Sequence, residues 1–145
     1  MITQSIDLEI AKPVDEVFAF LTDARNHPLW DSTSVVMEPA EPGPWHAGLT
    51  FREVRRIPRP IEVRSRIAAL EPNVRFDMES LSGPSFKGHW RFAPAPADPN
   101  RTRLQWSCEM QLSGLARVFE PLIQLQFRRT TSQNFARLKQ ILEQP

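Results

Sequence analysis

From residue 102 to residue 112 the chain alternates without a break. Leu104, Trp106, Cys108, Met110 and Leu112 fall on one side, and Arg103, Gln105, Ser107, Glu109 and Gln111 on the other. A period of two gives a strand with one dry face and one wet face. Such a strand is stable only within a sheet, and its dry face needs a cover. The rest of the chain must supply both.

Ile6, Leu8 and Ile10 alternate with Asp7 and Glu9, which predicts a first half-buried strand. Pro13 suits a first helical position, and Asp15 and Glu16 complement a helix N-terminus. Val14, Val17, Phe18 and Leu21 recur at helical spacing, so a short helix should run to about Asp23, ahead of the turn chemistry of Asn26-His27-Pro28. The prolines and glycines of 39–48 predict a loop. Strands are expected over 49–57, 61–70, 74–81 and 86–92, separated by Arg59-Pro60, Ser82-Gly83-Pro84 and the proline-rich 94–100. From 115 to 142 the period becomes helical, with Phe127, Thr131, Phe135, Leu138 and Leu142 on one stripe. Pro121 and the different phase of Leu115, Val118 and Leu122 predict a lead-in turn, a bend, and a continuous helix over 126–142. Consecutive strands with hairpin-length links imply an antiparallel sheet, and the long helix is the only large element able to cover it.

This order, together with Ile10-Ala11-Lys12-Pro13-Val14-Asp15-Glu16-Val17-Phe18, Leu21-Thr22-Asp23, Pro28-Leu29-Trp30-Asp31, Gly48-Leu49-Thr50-Phe51-Arg52-Glu53, Glu71-Pro72, Thr102-Arg103-Leu104-Gln105-Trp106 and Asn134-Phe135-Ala136-Arg137-Leu138-Lys139, resembles the START-like (Bet v 1-like, SRPBCC) superfamily, in its polyketide cyclase/dehydrase-like branch. The resemblance runs nearly end to end. It implies a single α+β domain over 1–145 with the helix-grip fold: a curved antiparallel sheet of about seven strands wrapped around the C-terminal helix, one or two short helices after the first strand, and a cavity for hydrophobic or amphipathic ligands. The family has no shared catalytic motif, so the resemblance carries no catalytic residue.

Strand parity assigns the inner face independently. It turns inward Phe51, Ile61, Val63 and Ile67, then Val74, Phe76 and Met78, then Phe86, Trp90 and Phe92, and then Leu104, Trp106, Cys108 and Met110. Gly88 shares that face, where it allows either a bend or room for a ligand. The same parity turns four polar groups inward: Glu53, Arg55, Ser65 and Ser80. A buried carboxylate must be paired or hydrogen-bonded. Glu53 and Arg55 either pair with each other or reach water at a strand end, or they form the polar anchor of an apolar pocket. Only in the second case are they candidates for catalysis, Glu53 as a general base. Trp30 is a core plug or part of a ligand gate. Cys108 reads as a small core residue. Gln124, Thr131 and Asn134 on the helix stripe suit either a partly hydrated cavity or the stripe's margin. The candidate ligand-binding set is therefore Trp30, Phe51, Glu53, Arg55, Ser65 and Met78, with Trp90, Trp106, Cys108, Phe127 and Thr131.

Other classes find little support. His89 has solvent-facing parity, and His27 and His46 read as loop residues; no Cys/His spacing matches a metal site, and no cofactor is expected. The chain has no tyrosine, hence no phenol for acid–base work. Arg52, Arg56, Arg59, Arg64, Arg66 and Arg75 fall mostly outward, opposite Glu62, Asp77 and Glu79, as a solvated face with cross-strand pairs. A net charge of +1 argues against nucleic acid or an anionic membrane as main partner. No apolar run is long enough for membrane insertion, so a cytoplasmic location is expected, with a homodimer left open. Three functions remain: a binding protein for a lipid, polyketide or isoprenoid; a cyclase or dehydratase acting on such a molecule; and an interaction module without a functional cavity.

Overall fold

In a computed structural model the structure describes residues 1–56 and 59–145. Seven antiparallel strands form one sheet: β1 (Ile2–Ile10), β2 (Ser34–Pro39), β3 (Thr50–Arg56), β4 (Pro60–Glu71), β5 (Arg75–Ser80), β6 (Ser85–Ala95) and β7 (Asp98–Gln111). Their order is β1-β7-β6-β5-β4-β3-β2. Helix α1 (Val14–Leu21), a 3-10 turn (Ala24–Asn26) and the short α2 (His27–Trp30) link β1 to β2. A second 3-10 turn (Gly114–Arg117) leads into the long α3 (Glu120–Leu142). This is the helix-grip α+β architecture. Register shifts at Ser34/Val36 and Ile67/Ala69 put irregularities into the strands, a standard device for bending a sheet.

The strand parity holds. Leu104, Trp106 and Cys108 are buried, while Arg103 turns outward to Asp7 at 2.7 Å. Several boundaries differ from the sequence expectation. Val74 is not an inner residue: it lies in the turn before β5, beside the positive-φ Asn73, and is 48% exposed. The proline-rich 94–100 is not a loop but the tip of the β6–β7 hairpin, where Pro94 pairs with Thr102. Beyond Arg91 on β6 and Thr102 on β7 no third strand among the described residues is in register, so each proline there needs a ladder partner on one side at most. Residues 34–39 form a strand that the pattern did not indicate. Of the expected strand 49–57, residues 50–56 are strand, and Ile57 lies outside the described residues.

Pro121 does not bend the long helix. It occupies the first turn of α3, where its missing N–H has no partner to lose, so the helix begins six residues before the expected Gln126. The helix is tied along its length to the chain's other end. Gln4 Nε2 donates to the Arg128 carbonyl at 3.4 Å, Arg137 Nε donates to the Leu29 carbonyl at 2.7 Å, and the Ala11 amide donates to Glu143 Oε2 at 2.8 Å.

Candidate functional site

Arg55 sits on the inner face of β3 and joins three elements. Its Nη2 donates to Asp31 Oδ2 at 2.8 Å and to Thr33 Oγ1 at 2.7 Å, and its Nη1 donates to Glu53 Oε1 at 3.2 Å. The other oxygen of Glu53 accepts from Ser65 Oγ at 2.6 Å, so both its oxygens are engaged. Asp31, just after α2, accepts at Oδ1 from the Thr33 amide, the Thr33 hydroxyl and Asn134 Nδ2. Asn134 Oδ1 in turn accepts from the Ser32 amide at 3.2 Å. Burial drives the Asp31 carboxyl upward, but the adjacent Arg55 and His27 hold it below the usual range. Burial lowers the Arg55 value, and Asp31 and Glu53 outweigh that to raise it.

Sequence parity brings Glu53, Arg55 and Ser65 to one face, as found. It does not reach Asp31 and Thr33, nor join them to Asn134, the polar residue noted on the helix stripe, because that partnership depends on how α2 and α3 fold back. His27 is not a surface loop residue. It lies in α2 with its side chain 15% exposed, Nδ1 3.1 Å from Ser34 Oγ and its ring edge-on to Trp30. Burial, assisted by Arg55 and opposed by Asp31, lowers its pKa.

Beside this network stands a wall of aromatic rings. Trp30 meets Trp90 at 5.7 Å and Phe135 at 5.4 Å, Trp106 meets Phe135 at 5.0 Å, and Phe76 stacks on Trp90 at 5.2 Å. Trp30 therefore plugs the core. Trp45, from the 39–48 loop, packs on Phe51 and Phe76, an anchor that loop composition hides. Rings thus fill the sheet–helix space around Phe135.

Elsewhere the interior is less closed. Ile61, which pairs with Arg55, and Met78, Phe86 and Met110, all toward the same end of β4 to β7, are only half-buried, and so is Phe127 on α3. Thr131, one turn further along, is buried. Gly88 marks no bulge. A Cβ there would lie 3.2 Å from the Phe86 ring, which covers it. Gln4, inward on β1 opposite Cys108, has a buried Oε1 with no hydrogen-bond partner among the described residues. Its parity with Ile6 was the available signal. Burial pushes the Cys108 thiol up to about 11, which suits a core residue.

Two surface depressions lie elsewhere. One of about 210 Å³ is lined by Met1, Gln111, Leu112, Arg117 and Glu120, and one of about 300 Å³ by Ser5, Asp7, Arg91, Gln105 and Ser107 with Ile6 and Trp106. The outer face carries ion pairs, among them Arg52 with Glu38 and Glu62, Arg66 with Glu79, and Asp77 with Arg75, His89 and Arg91. His46 is exposed against Glu41. Among the described residues no group of His, Cys, Asp or Glu is arranged to hold a metal, and no helix is long and apolar enough to cross a membrane.

A family model described as "Polyketide cyclase / dehydrase and lipid transport" matches residues 1–143. No curated protein matches. Among solved structures, the protein TTHA0849 of Thermus thermophilus superposes with a TM-score of 0.78 at 14% identity, over 95% of this chain and 94% of that one. A START superfamily protein of Mycobacterium smegmatis gives 0.75 at 14% identity, over 97% of each chain. The di-domain ARO/CYC BexL, from the BE-7585A biosynthetic pathway, gives 0.67 at 19% identity, over 97% of this chain and 46% of that one. At these identities the likeness is one of fold.

Proposed function

The chain belongs to the polyketide cyclase / dehydrase and lipid transport family, and from that premise we propose that it binds a hydrophobic or amphipathic small molecule between the sheet and α3, in the cytoplasm. The observation that carries this reading is the shared half-burial of Ile61, Met78, Phe86, Met110 and Phe127. Five large apolar side chains remain incompletely withdrawn from water, while the rings of Trp30, Trp90 and Trp106 beside them are buried. An apolar molecule entering there completes their burial at about 25 cal/mol per Å² of surface removed from water. It abuts the rings of Trp90, Trp106 and Phe135 and offers a hydroxyl or similar donor to Gln4 Oε1. Few polar groups in an apolar pocket are enough to orient a ligand.

The binding reading is preferred to the enzymatic one because Glu53 is buried and each of its oxygens already holds a structural partner, Arg55 on one and Ser65 on the other, which ties the carboxylate to the strands and not to a substrate. Native mass spectrometry of gently purified protein is expected to show one retained small molecule. An environment-sensitive anilinonaphthalene dye is expected to saturate at one per chain and change the fluorescence of Trp90 and Trp106, less so in Trp106→Phe. Lack of saturable binding by the dye and by a panel of apolar ligands would leave the interaction-module reading in its place.

A further inference from the structure

The first half of α3 and the turn leading into it carry large apolar side chains that are exposed to solvent. Phe119, Leu122 and Leu125 are 54%, 67% and 60% exposed, and just before them Leu115 and Val118 are 81% and 72% exposed. At about 100° per residue, Leu122, Leu125 and Arg129 lie together, opposite the inward Phe127, Thr131 and Leu138. Single exposed leucines are ordinary, but a continuous stripe of this kind marks an interaction surface.

The charges around the stripe say what it meets. Between Met110 and Leu142 the sequence holds Arg117, Arg128, Arg129, Arg137 and Lys139 against one carboxylate, Glu120. That carboxylate is taken by the Met1 ammonium at 2.7 Å. Arg117, Arg128 and Arg129 join no ion pair among the described residues. The balanced charge of the whole chain conceals this local excess. A second copy of the same face is a poor partner, since pairing it with itself sets arginine against arginine with no carboxylate between. The stripe is also the convex outside of a helix, suited to sinking into a fluid surface.

We propose that this arginine-rimmed apolar face docks on an anionic lipid membrane, with the front half of α3 lying in the plane of the interface. Apolar side chains enter the headgroup boundary while arginines at the rim meet lipid phosphates, the geometry of interfacial amphipathic helices. The inference stands independently of the internal ligand: a protein that binds no dye but docks on vesicles loses only the earlier reading.

The test is co-sedimentation of the full chain with phosphatidylcholine vesicles and with vesicles that also contain phosphatidylglycerol. Binding is expected only to the anionic vesicles and should fall as salt is raised. Arg128→Gln combined with Arg129→Gln should weaken it about thirtyfold, from the loss of roughly one surface attraction per arginine. Leu122→Ser combined with Leu125→Ser should abolish it while the circular dichroism spectrum and melting stay unchanged, since both side chains are exposed. Failure to bind anionic vesicles overturns the proposal, as does binding that survives both pairs of substitutions. Two further results also overturn it: a dimer in sedimentation that the leucine substitutions dissolve, or binding to an acidic amphipathic peptide by a protein that ignores vesicles.

Discussion

Arg55 reaches Asp31 across 2.8 Å, and by that contact the third strand holds the end of α2 against the sheet. The Asp31 side chain is 9% exposed and that of Arg55 24%, so the pair is neither a surface ion pair nor fully desolvated. Arg55→Met leaves Asp31 and Glu53 without their shared cation. The expected loss is about 3 kcal/mol, the lower end for a broken buried pair because a quarter of the guanidinium meets water. Adding Glu53→Gln should recover part of it. Urea midpoints of the single and double variants measure this, and losses below about 1 kcal/mol would show a solvated pair instead.

His27 gives the protein an acid-sensitive point. Its folded pKa lies below the ordinary 6.5, so the unfolded chain takes up the proton first. Stability is therefore full above that value and declines as pH falls below it. Asp31, held low in the fold, adds a further loss only at more acidic pH, as its own proton binds. Urea midpoints measured between pH 7.5 and pH 5, on a scale set by the ordinary histidine value of about 6.5, should fall in the parent and stay flatter in His27→Gln. Equal slopes would assign the effect to another group.

Gly88→Ala tests the open end of the interior. The new methyl carbon lies 3.2 Å from the half-buried Phe86 ring, which has solvent on one side to move into. The stability change should stay within about 1 kcal/mol, well short of the ~1–3 kcal/mol typical of overpacking a closed core. The displaced ring narrows the proposed ligand space, so dye affinity should drop with the fold intact. Unchanged affinity would move the ligand away from Phe86.

Gln4→Leu should separate folding from recognition. It removes a buried acceptor that has no partner, a group whose burial costs about 1–3 kcal/mol, against the loss of the long, exposed 3.4 Å bond to the Arg128 carbonyl, so the variant should be no less stable than the parent. A long-chain alcohol should then lose affinity relative to the matching alkane. Equal losses for the two would remove Gln4 from the site.

Thr102 is fully buried and donates through Oγ1 to the Lys12 carbonyl at 2.7 Å. Thr102→Val keeps the shape and strands that carbonyl. Thermal or urea unfolding should register a loss of about 1–3 kcal/mol. A neutral result would mean that the carbonyl finds water.

The sequence shows those features that depend on period alone. The parity of β7 follows from Leu104, Trp106 and Cys108, and the shared face of Glu53 and Arg55 from their spacing of two. Contacts made by folding distant segments together leave no such mark. Asp31 and Asn134 are joined over 103 positions, and neither has a neighbour that announces the other. Trp45 was hidden because prolines and glycines dominate its segment, although its ring enters the core. Pro121 was misjudged because a proline that breaks a helix interior is harmless in a first turn. The apolar stripe of Leu115, Val118 and Leu122 was visible as an odd phase, but only the packed structure shows it turned outward.

The place of β1 in the sheet sets the order in which the protein can assemble. Strands β2 to β7 follow one another as neighbours in sequence and in the sheet, so each of these pairings is local along the chain. The first strand instead pairs with the last, and its Asp7 meets Arg103 from 96 positions away. That closure is the slow, entropically demanding kind, and it becomes available only once β7 exists. During synthesis β1 leaves the ribosome first and is seated late. Until then Ile2, Ile6 and Ile10 wait in water, and the exposed edge of β7 offers any passing strand the place that β1 will take.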